Sequence, residues 1–518
     1  MLVKTYAAAV QGVEAQTITV EVNAGGTVAA GKQMFFMVGL PDKAVTEGFM
    51  RIEAATKNVG YNMPRMKMVV NLAPANLKKE GSAYDLPIAL GILAATKQVM
   101  DKAMEDYMII GELALDGSLR PIKGALPIAI LARQKKMKGL ILPIQNAREA
   151  AIVSDLHVYG VKNLLEAISI LEGEEKIKRY EYDTREAFYD TEDVYKVDFS
   201  DVKGQENIKR SLEIAAAGGH NAILIGPPGA GKTMLARRLP TILPPLDLHE
   251  ALETTKIHSV AGLLGTEASL VTTRPFRSPH HTISDVALVG GGSNPNPGEI
   301  SMAHNGVLFL DELPEFKRQV LEVLRQPMEE RRVTISRARI SVEYPASFML
   351  VASMNPCPCG FYNHPDKDCM CGPGIVKKYL NKISGPLLDR IDLHVEVTPV
   401  SYDELAEFKP ADVSSEEIRD RVIEARKIQT ERFKAYKDIH ANAQMPSRMV
   451  REVCEITTAG QTLLKTAMNK LQLSARAYDR ILKVARTSAD LSASPDIKIE
   501  HLAEAIQYRS LDREGWAG

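Results

Sequence analysis

The sequence has no long apolar run, and its first residues do not predict a secretory leader. Its apolar segments are far shorter than the roughly 20 residues that a membrane-spanning helix needs. Residues 1–6, Met-Leu-Val-Lys-Thr-Tyr, do not begin a charged and then apolar signal sequence. We therefore expect a chain with no membrane segment that works in the cytoplasm, where cysteine thiols stay reduced.

A net charge of either sign is also lacking. The 64 Lys and Arg residues are balanced by 65 Asp and Glu residues, so the formal net charge is −1. No overall field draws such a chain to nucleic acid or to anionic lipid, and any site for a polyanion must be a local patch. The 518 residues are too many for one hydrophobic core, which predicts two to four domains.

One glycine-rich segment stands out among the motifs. Residues 226–233, Gly-Pro-Pro-Gly-Ala-Gly-Lys-Thr, fit G-x-x-x-x-G-K-[ST] at every constrained position. An apolar run at 222–225 predicts a strand before the motif, and residues 234–239 predict a helix after it. Backbone N–H groups of such a loop surround phosphate oxygens, and the helix adds its positive end. The sequence therefore predicts an ATP site formed by Gly226, Pro227, Pro228, Gly229, Ala230, Gly231, Lys232, Thr233 and Met234.

A second motif completes this site. Residues 306–312, Gly-Val-Leu-Phe-Leu-Asp-Glu, predict a buried parallel strand with two carboxylates at its end. We expect Asp311 and the Thr233 hydroxyl to hold Mg²⁺, and Lys232 to reach the β- and γ-phosphates. Glu312 is then placed to orient or deprotonate the attacking water.

A third predicted strand, residues 347–355, ends at Asn355. This amide is in position to sense the γ-phosphate or the attacking water, since ligands of open α/β sheets bind at the carboxyl ends of the strands. The alternative is that Asn355 only turns the chain before Pro356.

Longer motifs resemble the magnesium-chelatase-type AAA+ ATPases. They occupy residues 274–292, 297–313, 387–392 and 474–480. The resemblance extends over essentially the whole chain, and it is to the ComM/YifB family of bacterial proteins more than to the chelatase subunit itself.

The resemblance implies roles for two arginines. Arg390 corresponds to an arginine finger that reaches the γ-phosphate of a neighbouring subunit, which implies a homo-hexameric ring. Its alternative is a surface arginine paired with Asp389 or Asp392. Arg476 corresponds to a second nucleotide sensor on a helical lid, and Arg480 competes for that role.

The family also implies an inserted β-hairpin that projects into the pore of the ring. Residues 333–342 alternate as a hairpin would, and the stretch 317–339 holds seven basic residues against three Glu. We expect Arg337 and Arg339 to contact DNA, because basic side chains on such a hairpin suit a phosphate backbone. A solvated charged face is the alternative.

Four of the five cysteines fall within fifteen residues. Cys357, Cys359, Cys369 and Cys371 form two Cys-x-Cys pairs, and four thiolates from two turns can supply a tetrahedral zinc site. His364 is an alternative ligand. Disulfides or a simple cysteine-containing loop are the competing interpretations.

The N-terminal region resembles the Lon-protease catalytic fold. That chemistry needs a Ser nucleophile and a Lys base. Here Ala83 stands near the nucleophile position with Ser82 one residue away, and Leu126 stands where the Lys belongs with Lys123 three residues early. The resemblance therefore implies a degenerate, non-proteolytic domain.

These observations predict an α/β protein in which an AAA+ P-loop parallel-sheet domain with a helical lid follows an α/β Lon-protease-like domain. The expected segments are listed in chain order: 1–170 Lon-like domain, 171–196 charged linker, 197–400 ATPase core, 401–518 helical lid.

The resemblance implies an ATP-driven hexameric motor on branched or single-stranded DNA. The work it implies is branch migration or helicase activity in homologous recombination and natural transformation, with a recombinase as a partner. The alternative is a chelatase-like remodeller of a protein partner. A protease is disfavoured by the missing Ser/Lys pair, and a nucleotide-binding scaffold is disfavoured because Glu312 and Arg390 serve hydrolysis.

Overall fold

The computed structural model describes residues 1–27, 35–174, 177–189, 195–265, 270–292, 295–337, 340–362, 364, 367–372, 374–399, 413–436, 438–471 and 473–509. The chain divides into two compact units. The first is Met1–Glu192 with Leu248–Thr272, and the second is Asp193–Asp247 with Thr273–Gly518. None of the described helices is long and apolar enough to cross a membrane.

The first unit is built on a mixed sheet. Its strands are β1 Leu2–Gln11, β2 Glu14–Thr27, β3 Phe35–Val38, β4 Met66–Ala73, β5 Tyr107–Ile109, β6 Glu112–Leu113, β7 Leu119–Arg120, β8 Gly139–Pro143 and β9 His157–Val161. Its helices are α1 Lys43–Asn58, α2 Asp85–Ala95, α3 Ala125–Gln134, α4 Ile144–Ala150, α5 Leu164–Leu171, α6 Thr184–Tyr189 and α9 Leu248–Ala261. Among the described strands, seven form one sheet in the order β3-β4-β2-β1-β5-β8-β9.

Burial explains the sequence patterns of this unit. Every residue of α2 is buried, which is why the segment is apolar on all sides rather than amphipathic. Strand β8 is also buried along its length, as expected for a parallel strand covered on both faces.

Two segments differ from the expected organisation. Helix α9, which the sequence analysis groups with the ATPase core, clusters with the first unit, where Gly124 N donates to Ser259 O over 3.1 Å. The segment expected to be a charged linker contains α6, and Tyr180 N donates to Val158 O over 2.7 Å. Tyr180, within the expected linker, is therefore hydrogen-bonded to β9 of the first unit, a contact that charge patterning does not reveal.

The second unit contains the parallel sheet. Its strands are β10 Ala222–Ile225, β11 Phe276–Arg277, β12 Gly290–Gly291, β13 Asn296–Pro297, β14 Val307–Leu310, β15 Arg332–Arg337, β16 Ile340–Pro345, β17 Met349–Met354 and β18 Leu393–Glu396. Its remaining helices are α7 Glu206–Gly218, α8 Lys232–Ile242, α10 Asp285–Val289, α11 Glu299–Met302, α12 Arg318–Glu322, α13 Arg325–Glu330, α14 Ile375–Leu380 and α15 Gly385–Leu388.

Five described strands form the central sheet in the order β11-β14-β17-β10-β18, and every neighbouring pair is parallel. All residues of β10, β14 and β17 are buried. Because the strands are parallel, the residues that follow β10, β14 and β17 meet at one edge of the sheet.

A helical region follows. It consists of α16 Ser415–Phe433, α17 Ser447–Val453, α18 Thr458–Lys470, α19 Ala475–Leu491 and α20 Ile499–Gln507. Ser414 caps the N-terminus of α16, since its hydroxyl accepts from Glu417 N over 3.2 Å. Cys454 is buried in the core of this region. The predicted α/β class, with a parallel-sheet domain followed by helices, is confirmed.

Candidate nucleotide-binding site

The glycine-rich loop joins β10 to α8, as its flanking patterns predicted. A Cβ added to Gly226 would lie 2.2 Å from Val397 O, so only glycine fits against the neighbouring strand end. Gly229 and Gly231 have φ values of 81° and 84°, which a residue with a side chain rarely adopts. The loop therefore depends on its glycines for shape.

Lys232 lies at the start of α8, inside the loop. Its Nζ donates to Gly226 O over 2.7 Å, to Pro227 O over 2.9 Å and to Asn355 Oδ1 over 3.1 Å. Burial lowers the pKa of Lys232, while the nearby Asp311 and Glu312 carboxylates act in the opposite direction. The structure thus joins the ends of β10 and β17 through one ammonium group.

Thr233 and Asp311 face each other across the site. Thr233 Oγ1 donates to Asp311 Oδ2 over 2.8 Å. A hydroxyl and a carboxylate are oxygen ligands of the type that Mg²⁺ prefers, so these two residues fit the cation that accompanies a nucleoside triphosphate.

Glu312 follows Asp311 in a left-handed backbone conformation, with φ of 54°. Its N–H approaches Asp311 Oδ1 at 3.1 Å and Ser353 Oγ at 3.4 Å. The Glu312 side chain is 58% exposed and lies near His281. Its carboxylate is therefore accessible from solvent beside the Thr233–Asp311 pair.

Sequence reasoning missed Ser353 at this site. The Ser353 hydroxyl donates to Asp311 Oδ1, and the residue is almost fully buried in β17. A hydroxyl in an otherwise apolar strand, two positions before Asn355, is the signal that could have identified it.

The three arginines considered for roles in nucleotide hydrolysis, Arg390, Arg476 and Arg480, differ in burial and in partners. Arg390 is 8% exposed, donates to Pro386 O over 2.6 Å and pairs with Glu329 at 2.5 Å. The expected alternative partners were Asp389 and Asp392, and the structure shows Glu329 instead. The Arg476 side chain is 65% exposed, with Nη1 3.5 Å from Asp389.

Arg480 is bound to a buried carboxylate. Its Nη1 lies 2.8 Å from Asp392 Oδ1, and Asp392 is almost fully buried. Burial by itself raises the pKa of Asp392, but Arg480 and His220 outweigh burial and hold that pKa well below its usual range. Arg480 therefore has a structural partner that Arg476 does not share.

The four clustered cysteines come together. Their sulfurs all lie within 4.8 Å of one another, with Cys357 Sγ 3.3 Å from Cys359 Sγ and 3.7 Å from Cys369 Sγ. Tetrahedral Zn–S bonds of about 2.3 Å place sulfurs about 3.8 Å apart, so the set fits zinc. The N–H of Phe361 beside its sulfur lowers the pKa of Cys359 to about 6. Backbone N–H groups also lower the pKa of Cys369 and Cys371, but burial and the neighbouring thiols outweigh them and raise both pKa values. His364, the alternative ligand, packs its ring edge-on against Phe361.

The cysteine loop contacts the glycine-rich loop. A Cβ added to Gly360 would lie 2.5 Å from Pro228 Cδ, and Gly360 has a φ of 86°. The four-cysteine cluster therefore lies beside the candidate nucleotide site and not in a distant appendage.

The predicted hairpin is present as β15 paired antiparallel with β16. Val333, Ile335, Val342 and Tyr344 are buried on one face. Arg339 and the side chain of Arg337 lie outside the described residues, so their predicted contact with DNA stays a prediction.

Much of the local positive charge already has a partner. Arg325 pairs with Glu322 at 2.7 Å, Arg331 donates to Asp438 O over 2.9 Å, and Arg332 lies 3.7 Å from Glu343. Three of the seven basic side chains of residues 317–339 therefore have partners within the chain.

In the first unit, the Ser82 hydroxyl donates to Glu112 Oε2. Lys79 is fully buried and its Nζ donates to Gly39 O over 2.9 Å, while burial lowers its pKa. Leu126 is buried in the core. Ser82 is thus paired with a carboxylate.

Fold and site together define a P-loop ATPase of the AAA type. A family model described as magnesium chelatase, subunit ChlI, matches residues 198–405. Two related models, subunit ChlI of Mg-chelatase and the subunit ChlI C-terminal region, match residues 20–146 and 412–509.

Relatives that match along nearly the whole chain show which family it belongs to. The chain is 44% identical to the competence protein ComM of Haemophilus influenzae over 510 residues, covering 98% of this chain and 97% of that protein. It is 43% identical to YifB of Escherichia coli, covering 97% of this chain and 96% of that protein. The magnesium-chelatase 38 kDa subunit of Rhodobacter capsulatus is 25% identical over 44% of this chain and 68% of that subunit. The chain belongs to the ComM/YifB family, which confirms the resemblance seen in the sequence.

Proposed function

We infer that this protein is an ATP-hydrolysing hexameric motor that acts on branched or single-stranded DNA. The ATPase assignment is supported by the convergence of five side chains at the ends of three parallel strands. They are Lys232, Thr233, Asp311, Glu312 and Asn355. In this site Lys232 binds the β- and γ-phosphates, Glu312 orients the attacking water, and Asn355 senses the γ-phosphate. Thr233 and Asp311 would hold Mg²⁺, which would supply positive charge to the phosphates.

A ring is part of the proposal, because Arg390 acts on the nucleotide of the next subunit. In the single chain Arg390 is paired with Glu329, so this pair has to open when subunits assemble. Arg476 acts as the second nucleotide sensor, since its exposure leaves it movable.

DNA as the substrate is supported by two features. One relative is named a competence protein, after the state in which cells take up DNA. The hairpin tip carries Arg337 and Arg339 in a chain without a net positive charge. We place this activity in the cytoplasm, as branch migration or helicase work in homologous recombination and natural transformation, with a recombinase as partner.

The second candidate is a chelatase-like remodeller of a protein partner. It is favoured by the match of residues 20–146, in the N-terminal part of the chain, to a model described as subunit ChlI of Mg-chelatase. Under either function, we propose that the four-cysteine cluster binds a structural zinc ion.

The test is ATP hydrolysis with and without four-way DNA, at two salt concentrations. The proposal predicts strong stimulation that falls with salt, as phosphate contacts require. Arg337→Ala and Arg339→Ala should lower stimulation and leave basal hydrolysis intact, with Arg448→Ala in the helical region as the matched control. Absence of stimulation by any DNA would move the assignment to the protein remodeller.

A further inference from the structure

The candidate water-orienting carboxylate has a histidine beside it. His281 Nδ1 lies 3.5 Å from Glu312 Oε2, and the two side chains are 33% and 58% exposed. This distance is longer than a strong N–H···O hydrogen bond. The contact is therefore one that a small movement can tighten or break.

Glu312 has a fixed backbone and a movable carboxylate. Its N–H is bound by Asp311 Oδ1 and approaches Ser353 Oγ, which holds the left-handed turn in place. The position of the carboxylate then depends on the side-chain torsions and on what lies next to it. The imidazole of His281 lies next to this carboxylate, across the 3.5 Å contact.

The His281 ring is itself held by its neighbours. Its centroid is 4.1 Å from that of His280 and 6.4 Å, edge-on, from that of the buried Phe316. His280 Nδ1 lies 2.9 Å from Thr282 Oγ1, and Ile283 N donates to His280 O over 3.0 Å, so the loop is a defined turn. A ring packed in this way can restrain a carboxylate that is otherwise free to rotate.

The strand before this loop is anchored to the same sheet. β11 pairs in parallel with β14, whose end carries Asp311 and Glu312. Arg277, the last residue of β11, pairs with both carboxylate oxygens of Glu299 at 2.6 and 2.7 Å. His281 and Glu312 are therefore presented from two adjacent strand ends.

We propose that His281 is a positioning residue for Glu312: its imidazole N–H holds the carboxylate in the orientation from which Glu312 directs water at the γ-phosphate. This inference rests on the proposed ATPase function. It assigns no contact between His281 and nucleotide, and so it predicts an effect on the rate of hydrolysis and not on nucleotide affinity.

The test compares His281→Ala, His281→Asn and wild type in full-length protein. Steady-state hydrolysis gives kcat at saturating ATP, and a fluorescent ATP analogue gives nucleotide affinity. His281→Ala should lower kcat by about tenfold or more, since small misplacements of reacting groups cost this much, with affinity unchanged. His281→Asn keeps an N–H near the Nδ1 position and should recover part of the loss.

His249→Ala is the control, because it removes an exposed imidazole that is not part of the candidate site. It should change kcat by less than about twofold, a loss far below that expected when a group orients the reaction. Equal losses in the His249 and His281 variants, or a His281→Ala protein with wild-type kcat, would overturn the inference. So would a loss of kcat that the Asn variant leaves entirely unrecovered, because that is the behaviour of a merely structural ring.

A Glu312→Gln variant separates this inference from the proposed function. If Glu312→Gln keeps full hydrolysis, the role of Glu312 itself fails. If Glu312→Gln is inactive and His281→Ala behaves as wild type, only the role of His281 fails.

Discussion

Thr233 Oγ1 and Asp311 Oδ2 are 2.8 Å apart, although 78 positions separate them in the sequence. Thr233 lies in the first turn of α8, and Asp311 directly follows β14 of the parallel sheet. Their meeting places two oxygen ligands next to Lys232, which is the chemistry that a Mg²⁺-nucleotide needs.

Ser353→Ala should weaken Mg²⁺-dependent nucleotide binding by about tenfold, because groups that orient a metal ligand typically contribute this much. Its hydroxyl holds Asp311 and approaches Glu312 N. The measurement is the affinity for a fluorescent ATP analogue with Mg²⁺ and with EDTA. Ser336→Ala in the hairpin is the control. An equal loss in EDTA would indicate general damage to the site.

Arg390→Ala should retain nucleotide binding and lose hydrolysis by about a thousandfold, as expected of an arginine finger. Mixing Arg390→Ala subunits with Lys232→Ala subunits should restore part of the activity, since each supplies what the other lacks. Restoration tests action between subunits directly. If the mixed variants stay inactive, Arg390 does not act on a neighbouring subunit. Its role would then lie within its own chain, where it pairs with Glu329 in this structure.

Substitutions of Arg476 and of Arg480 should differ in their effect on the stability of the fold. Arg480→Ala removes the arginine partner of the buried Asp392 carboxylate, which costs about 3–5 kcal/mol of the free energy of unfolding. Arg476→Ala should leave the melting temperature nearly unchanged and lower hydrolysis. Thermal melting and ATPase rates of both variants provide the comparison.

The same carboxylate gives a dependence on pH. Since the folded-state pKa of Asp392 is held below that of the unfolded chain, its charge stabilises the fold above an unfolded pKa of about 4. That contribution is lost as the pH falls below this value. Arg480→Ala should therefore reduce the acid sensitivity contributed by Asp392, measured as the difference in unfolding free energy between neutral and acid pH. An unchanged slope would contradict the pairing.

Zinc removal should affect the nucleotide site. Purified protein is expected to hold about one zinc per chain, as four thiolates around one ion require, and Cys369→Ser should lose it. Since Gly360 in this loop packs against Pro228, loss of zinc should also weaken ATP binding. Cys454→Ala, at a buried position in the helical region, is the control that keeps zinc. Metal content by mass spectrometry and nucleotide affinity are measured on the same samples.

Local patterns predicted the elements that carry the site. The glycine-rich loop and the apolar strand before Asp311 each follow from a short stretch, because a P-loop and a buried strand have distinctive sequences. The partners of these residues were harder to predict. Ser353 contacts Asp311 and His281 lies near Glu312 across the sheet edge, and sequence spacing does not encode such contacts.

Other outcomes depended on tertiary packing. Arg476 and Arg480 lie one turn apart on a single helix, and only the buried Asp392 distinguishes them. Helix α9 joins the first unit although its neighbours in the sequence belong to the second. The sequence of this helix does not indicate which of the two hydrophobic cores it packs against.

The most direct test of the account is displacement of a labelled strand from four-way or forked DNA. Wild type is assayed with ATP and with a non-hydrolysable analogue, beside Glu312→Gln. The account predicts displacement by wild type with ATP alone, and DNA binding without displacement by Glu312→Gln. A folded wild-type protein that hydrolyses ATP and moves none of these DNA structures would contradict it.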